Sequence, residues 1–191
     1  MYARGNNRGA IYRDDGDRRL YLENLRMTVA RAEWRCLAYC LMDNHVHLVI
    51  QTPKANLGRG MQRLHGLYGR QFNIRHGRSG HVFQGRYGSE RITDDRQLFA
   101  VARYVARNPV EAGLCSRAAE WPWSSHADVL TGTSPPWLDS EALLAYFGSG
   151  GGDPLANYRL MVDDEPRQVV RELFRSPRGH RRAPEGESRA A

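Results

Sequence analysis

The hydrophobic pattern near the start of the chain changes from helical spacing to short apolar runs. Residues 17–33 place their large apolar side chains near helical spacing, behind an aspartate pair that can cap a helix. Residues 34–42 and 45–51 are instead short and rich in aromatic and branched side chains. The Asp43-Asn44 pair between them is typical of a turn. The pattern therefore predicts an amphipathic helix followed by a β-hairpin.

Helical spacing returns after the hairpin. Apolar side chains recur every three or four positions from Leu57 to Phe72, and Asn56 is the expected cap of this helix. A loop over residues 76–80 ends the helix, and residues 82–92 predict a further strand.

A further helix is predicted to begin at Asp94 or Asp95 and to stop at Asn108-Pro109, because proline usually ends a helix. Residues 1–5 are short for a strand of the core sheet. The C-terminal part predicts helices near 123–130, 140–147, 153–162 and 166–174, with a glycine-rich linker at 149–152. We expect a main domain over 1–120, a helical extension over 121–175 and a disordered tail over 176–191.

The charge of the 191-residue chain is positive and unevenly distributed. The net charge is +7, and residues 1–120 carry 20 basic against 11 acidic side chains. Lys54 is the only lysine, so nearly all the positive charge is arginine, which pairs with phosphates in a bidentate manner. This pattern is typical of a nucleic-acid-binding protein, although a solvated basic surface without a partner is the alternative.

Two histidines are candidate metal ligands. His45 and His47 occupy alternate positions of a predicted strand, so both imidazoles should point to one face of the sheet. Two imidazoles at this spacing can bind one divalent cation. Core packing is the alternative for an isolated His-x-His pair.

A tyrosine and an asparagine lie one helical turn apart on the following predicted helix. Tyr104 could form a covalent phosphoester, and the amide oxygen of Asn108 could supply a third ligand to a hard cation. Tyr68 is the alternative nucleophile, although its spacing with Leu64 and Phe72 indicates a position in the core.

Cys36 and Cys40 precede the histidines and leave a zinc site open as a second alternative. Their spacing relative to the histidines is not that of a familiar zinc finger, and they share a strand face with Ala38, which favours packing. Three cysteines give no disulfide framework, and no apolar run is long enough to span a membrane. We expect a cytoplasmic, nucleoid-associated protein.

Four ordered motifs resemble the REP-associated tyrosine transposases, which are relatives of the insertion-sequence transposases with an HUH motif. The resemblance covers residues 2 to about 165, and RGNNR at 4–8 also fits it. The motifs are WRCLAYCLMDNHVHLVIQTP, NLGRGMQRLHGLYGRQFNIRHGRSGHVFQGRY, ARYVARNPVEAGL and AEWPWSS.

The resemblance implies an α+β fold, in which helices pack on an antiparallel sheet and the HUH strand is central. It implies that His45, His47 and Asn108 bind Mg²⁺ or Mn²⁺, where insertion-sequence relatives carry glutamine in place of the asparagine. It also implies that Tyr104 attacks single-stranded DNA, leaving a 5′-phosphotyrosine and a free 3′-OH.

The substrates that the resemblance implies are imperfect DNA hairpins with a short tetranucleotide at their foot. A hairpin-binding protein without useful catalysis and a zinc-dependent hydrolase are the alternatives, and the protein is expected to be a monomer or homodimer. Five arginines on or after the helix that begins near residue 57 are expected to contact the DNA backbone: Arg59, Arg63, Arg70, Arg78 and Arg86.

Overall fold

A three-stranded antiparallel sheet lies at the centre of the protein. The computed structural model describes residues 1–163. The strands are Tyr2–Arg4 (β1), Arg35–Leu41 (β2) and His45–Gln51 (β3), and their order is β1-β3-β2. The strand that carries the two histidines is therefore central, as the family resemblance implied. The short N-terminal segment does form a strand, at the edge of the sheet.

Helices pack on this sheet, which confirms the expected α+β class with a helical C-terminal region. Two short 3-10 helices also occur, at Asn6–Arg8 and Ala118–Glu120. The α-helices are Asp15–Ala32 (α1), Leu57–Arg75 (α2), Asp95–Glu111 (α3), His126–Thr131 (α4), Ser140–Gly148 (α5) and Pro154–Asp163 (α6). Within residues 1–163, no helix is long and apolar enough to cross a membrane.

The caps of the first and third helices agree with the sequence, and that of the second does not. Asp14 and Asp94 each accept a hydrogen bond from the backbone three residues later, at 3.0 and 2.8 Å. Asn56 precedes α2, but its side chain makes no capping bond. Its Oδ1 instead accepts from Trp34 Nε1 at 2.7 Å, and its Nδ2 donates to Ala32 O at 2.9 Å. Asn56 thus ties the start of α2 to the end of α1.

Trp34 also packs directly against α2. A Cβ added at Gly60 would lie 2.1 Å from the indole ring, so only glycine lets the helix and the ring approach this closely. Gly88 makes a similar approach, because a Cβ there would lie 2.4 Å from the ring of Tyr2.

Two predicted elements are wrong. Residues 82–92 do not form a strand, and only isolated bridges connect Phe83 to Gly5 and Gly88 to Tyr2. The edge strand β1 is three residues long, too short to template a longer ladder.

Helix α3 also does not stop at Asn108-Pro109 but continues to Glu111, with Pro109 buried inside it. A proline in the last turn removes a single amide donor, and the backbone N–H of Leu114 donates to Pro109 O at 2.9 Å as the chain leaves the helix.

The C-terminal helices pack back onto α3. Arg103 Nε donates to Met161 O and Arg107 Nη1 donates to Val162 O, each at 2.9 Å, at the carboxyl end of α6. Residues 149–152 form the turn between α5 and α6, and helix α4 begins later than residue 123. The predicted helix at 166–174 and the tail at 176–191 lie outside the described residues.

Candidate active site

The two histidines of β3 and the asparagine of α3 meet on one face of the sheet. His45 Nε2 lies 3.1 Å from Asn108 Oδ1, and Asn108 Nδ2 lies 3.3 Å from His47 Nε2. Strand alternation sets both imidazoles on the same face, and α3 lies across them. The structure therefore brings Asn108 next to two histidines that lie about sixty residues before it in the sequence.

Burial keeps both imidazoles neutral at neutral pH. Desolvation lowers the pKa of His45, and the contact with the Asn108 amide opposes this only in part. Desolvation and then the neighbouring His45 hold the pKa of His47 well below its usual value. A neutral imidazole keeps a lone pair, which is what a metal ligand needs.

Tyr104 lies beside this pair, one helical turn before Asn108. Its half-buried ring packs edge-on against His47, with 5.1 Å between the ring centroids and planes at 89°. Burial raises the pKa of the phenol, and a hydrogen bond with Asn108 and the positive charge of Arg4 oppose that shift. The Tyr104 hydroxyl is therefore protonated at neutral pH. It lies next to the Asn108 amide, which contacts both histidines.

The donor set fits a divalent cation with phosphate or water completing its shell. Across residues 1–163, no three His, Cys, Asp or Glu side chains cluster as a metal site. The two imidazole nitrogens and the Asn108 oxygen are the ligands available here, and such a mixed nitrogen and oxygen set can bind a divalent metal ion.

The cysteines do not support the zinc alternative. Cys36 and Cys40 are both fully buried, and burial raises the pKa of the Cys36 thiol to about 12 and also raises that of Cys40. Zinc binds the thiolate, and burial favours the protonated thiol instead. Both side chains belong to the hydrophobic core around β2.

Tyr68 has the core position that its spacing indicated. Its side chain is fully buried, its hydroxyl donates to the carbonyl oxygen of Ile11, and its ring packs against Tyr12, Tyr21 and Phe72. This hydroxyl is already bonded inside the core, whereas Tyr104 is half-buried next to the histidines.

The five arginines expected to contact DNA all have exposed side chains. Arg70 and Arg86 line a groove of about 1040 Å³ between α2 and residues 80–89. Arg59 and Arg63 line a second groove between α1 and α2. Arg78 lies over the ring of Phe72, 5.6 Å from its centroid. All five guanidinium groups are thus open to a polyanion.

Arg4 is a site residue that the sequence interpretation missed. It lies directly opposite His45 in the β1–β3 register, and directly opposed residues share a sheet face. Its positive charge lowers the pKa of His45, His47 and Tyr104. The RGNNR motif contained it, but its place beside the histidines depends on strand register.

Comparisons with known proteins identify the family of this chain. The model of the family described as "Transposase IS200 like" matches residues 3–108, more than half of the chain. A Haemophilus influenzae protein named as a REP-associated tyrosine transposase is 29% identical over 116 residues, which cover 54% of this chain and 66% of that protein. The chain thus spans slightly less than two thirds of that relative.

A solved structure has a similar fold. It is the structure of a REP-associated tyrosine transposase bound to a REP hairpin. It aligns with a TM-score of 0.57 at 17% identity, over 70% of this chain and 79% of the other. The family match covers both strands of the hairpin, helix α2 and helix α3 as far as Asn108. On these grounds the chain belongs to the IS200-like transposase family.

Proposed function

We propose that the protein cuts and rejoins single-stranded DNA at the foot of repeated DNA hairpins, with Tyr104 as the nucleophile. The observation that carries this proposal is the meeting of Tyr104 and Asn108 with His45 and His47 across two distant elements. A tyrosine beside two neutral imidazoles and an amide oxygen has what phosphoryl transfer through a covalent intermediate requires.

His45, His47 and Asn108 would hold Mg²⁺ or Mn²⁺. A cation bound there would supply Lewis-acid polarisation of the scissile phosphate and would offset the charge that develops on it. The three side chains position the phosphate next to the Tyr104 hydroxyl, and Arg4 adds a positive charge on the same face of the sheet.

Tyr104 Oη attacks phosphorus, so one O–P bond forms while the P–O3′ bond breaks. The phenol loses its proton, and the departing 3′ oxygen gains one. The products are a 5′-phosphotyrosine and a free 3′-OH, and the number of phosphoester bonds is unchanged. A 3′-OH can therefore reverse the step and rejoin strands without an external energy source.

The exposed arginines support the hairpin as substrate. A duplex stem presents a dense line of phosphates, and Arg59, Arg63, Arg70, Arg78 and Arg86 offer guanidinium groups on α2 and just after it. The similar solved structure is described as bound to such a hairpin.

The test is whether the protein becomes covalently attached to DNA. Hairpin oligonucleotides taken from the repeats of the source genome, labelled at the 3′ end, are incubated with the protein and Mg²⁺. A labelled band at the mass of the protein on a denaturing gel is expected, and Tyr104→Phe should abolish it while keeping hairpin affinity within a few-fold. Hairpin binding without any adduct in the wild type would show a binding protein instead of a nuclease.

A further inference from the structure

Asn44 connects the first histidine of the site to a loop that has no assigned role. Its Nδ2 donates to the backbone carbonyl of Arg8 at 3.0 Å, and its Oδ1 lies 2.7 Å from Nδ1 of His45. A carbonyl oxygen can only accept, so the amide nitrogen must face Arg8 and the amide oxygen must face the imidazole. Both ring nitrogens of His45 meet an amide oxygen, and a neutral imidazole can donate to only one of them. The contact with Asn44 is the shorter, at 2.7 Å against 3.1 Å to Asn108, so His45 carries its hydrogen on Nδ1.

This hydrogen decides which nitrogen of His45 can bind a cation. A neutral imidazole has one N–H and one lone pair, so the lone pair is on Nε2. That atom lies 3.1 Å from Asn108 Oδ1, which is also an acceptor. Two acceptor atoms at this separation form no hydrogen bond with each other. Both lone pairs can instead coordinate a cation. Hydrogen bonds from the far nitrogen commonly orient metal-binding histidines in this way.

The loop over residues 4–9 holds Asn44 in place. The backbone N–H of Gly5 donates to the carbonyl oxygen of Asn44 at 2.8 Å. Asn7 and Arg8 both have left-handed backbone angles, with φ of 50° and 57°, a conformation that side chains other than glycine adopt at a cost. A Cβ at Gly5 would lie 2.0 Å from the carbonyl oxygen of Gly9, so the loop closes only around a glycine.

We propose that Asn44, held by the 4–9 loop, is a positioning residue that fixes the hydrogen of His45 on Nδ1 and turns the Nε2 lone pair into the active site. The RGNNRG sequence then has a role at the active site, because its strained turn presents the Arg8 carbonyl to Asn44. The link to catalysis rests on the proposed metal-dependent function, whereas the tautomer itself can be measured in the metal-free protein.

The primary test is ¹⁵N NMR of the histidine rings in the metal-free protein at neutral pH. In the wild type, His45 should show a protonated Nδ1 and an unprotonated Nε2. Asn44→Leu, which has similar volume but no acceptor, should give a mixture of tautomers. Asn44→Asp loses the donor to the Arg8 carbonyl but keeps an oxygen that accepts from Nδ1, so it should retain the hydrogen of His45 on Nδ1. Asn6→Ala, an exposed position in the same loop, serves as the matched control and should change nothing.

A second readout is Mn²⁺ binding without DNA, followed by electron paramagnetic resonance. Removing a group that orients a ligand typically weakens metal binding about 10–100-fold. We expect a loss in this range for Asn44→Leu and affinity within a few-fold of the wild type for Asn44→Asp.

An Nε2–H tautomer in the wild type, or an unchanged tautomer in Asn44→Leu with an intact fold by circular dichroism, would overturn the inference. The expected tautomers without any Mn²⁺ binding by the wild type would support the role of Asn44 and instead contradict the metal-dependent function. The two ideas can thus fail separately.

Discussion

Replacing Gly60 by alanine should destabilise the fold, because helix α2 touches Trp34 at this glycine. A Cβ at residue 60 would lie 2.1 Å from Cζ2 and 2.4 Å from Cη2 of the indole. Carbon atoms in contact stand about 3.5–4.0 Å apart, so helix and ring must separate by about 1.5 Å. The ring is only 4% exposed, and its Nε1 donates to Asn56, which leaves it little room to move.

The expected size of the effect follows from three contributions. Overpacking of a core site costs about 1–3 kcal/mol. Loss of the Trp34–Asn56 hydrogen bond, if the ring turns away, adds about 0.5–1.5 kcal/mol. Alanine has a higher helix propensity than glycine, and this offsets about 1 kcal/mol of the destabilisation. We therefore expect Gly60→Ala to lower the free energy of unfolding by about 0.5–3.5 kcal/mol.

Gly66→Ala is the matched control in the same helix. A Cβ at Gly66 would meet no atom within 4 Å, so this variant should gain up to about 1 kcal/mol. Urea unfolding followed by circular dichroism gives both values. If Gly60→Ala is as stable as the wild type while Gly66→Ala behaves as expected, helix α2 is not closely packed on Trp34.

Three further predictions concern DNA binding, metal and pH. The double variant Arg63→Ala/Arg70→Ala should flatten the plot of log K for hairpin binding against log salt by about 1.4–1.8 units, whereas Arg26→Ala on α1 should not; an unchanged slope would remove α2 from the DNA interface. Removing divalent metal with EDTA should stop cutting but leave hairpin binding, and Mg²⁺ or Mn²⁺ should restore it; persistent cutting in EDTA would contradict the metal-binding assignment. Burial lowers the pKa of His65 and of His126 to about 4 in the folded protein. As the pH falls, the unfolded chain therefore binds protons at these two imidazoles at a higher pH than the folded protein does. The free energy of unfolding should therefore fall as the pH drops from about 6.5 towards 4, and a flat profile in urea titrations would show that these rings are not neutral in the fold.

Features that depend on local spacing could be predicted from the sequence. The alternation of His45 and His47 placed both on one strand face, and the separation of Tyr104 and Asn108 placed both on one helix face. The caps Asp14 and Asp94 followed from the same local rules.

Features that depend on distant partners could not be predicted. The sequence predicted Asn56 as the N-cap of α2, but its amide oxygen accepts a hydrogen bond from the indole of Trp34 instead. Residues 82–92 have strand composition, yet their neighbour β1 is too short to pair with more than single residues. The place of Arg4 opposite His45 depends on strand register, and that of Asn44 on the fold of the 4–9 loop.

Locating the tyrosine that becomes attached to DNA would test the central claim most directly. The adduct formed with a hairpin oligonucleotide is digested with nuclease and trypsin, and the peptides are sequenced by mass spectrometry. Trypsin cuts after Arg103 and Arg107, so we expect a nucleotide on the four-residue peptide 104–107. Modification of the peptide 64–70, which contains Tyr68, or of no peptide at all would contradict it.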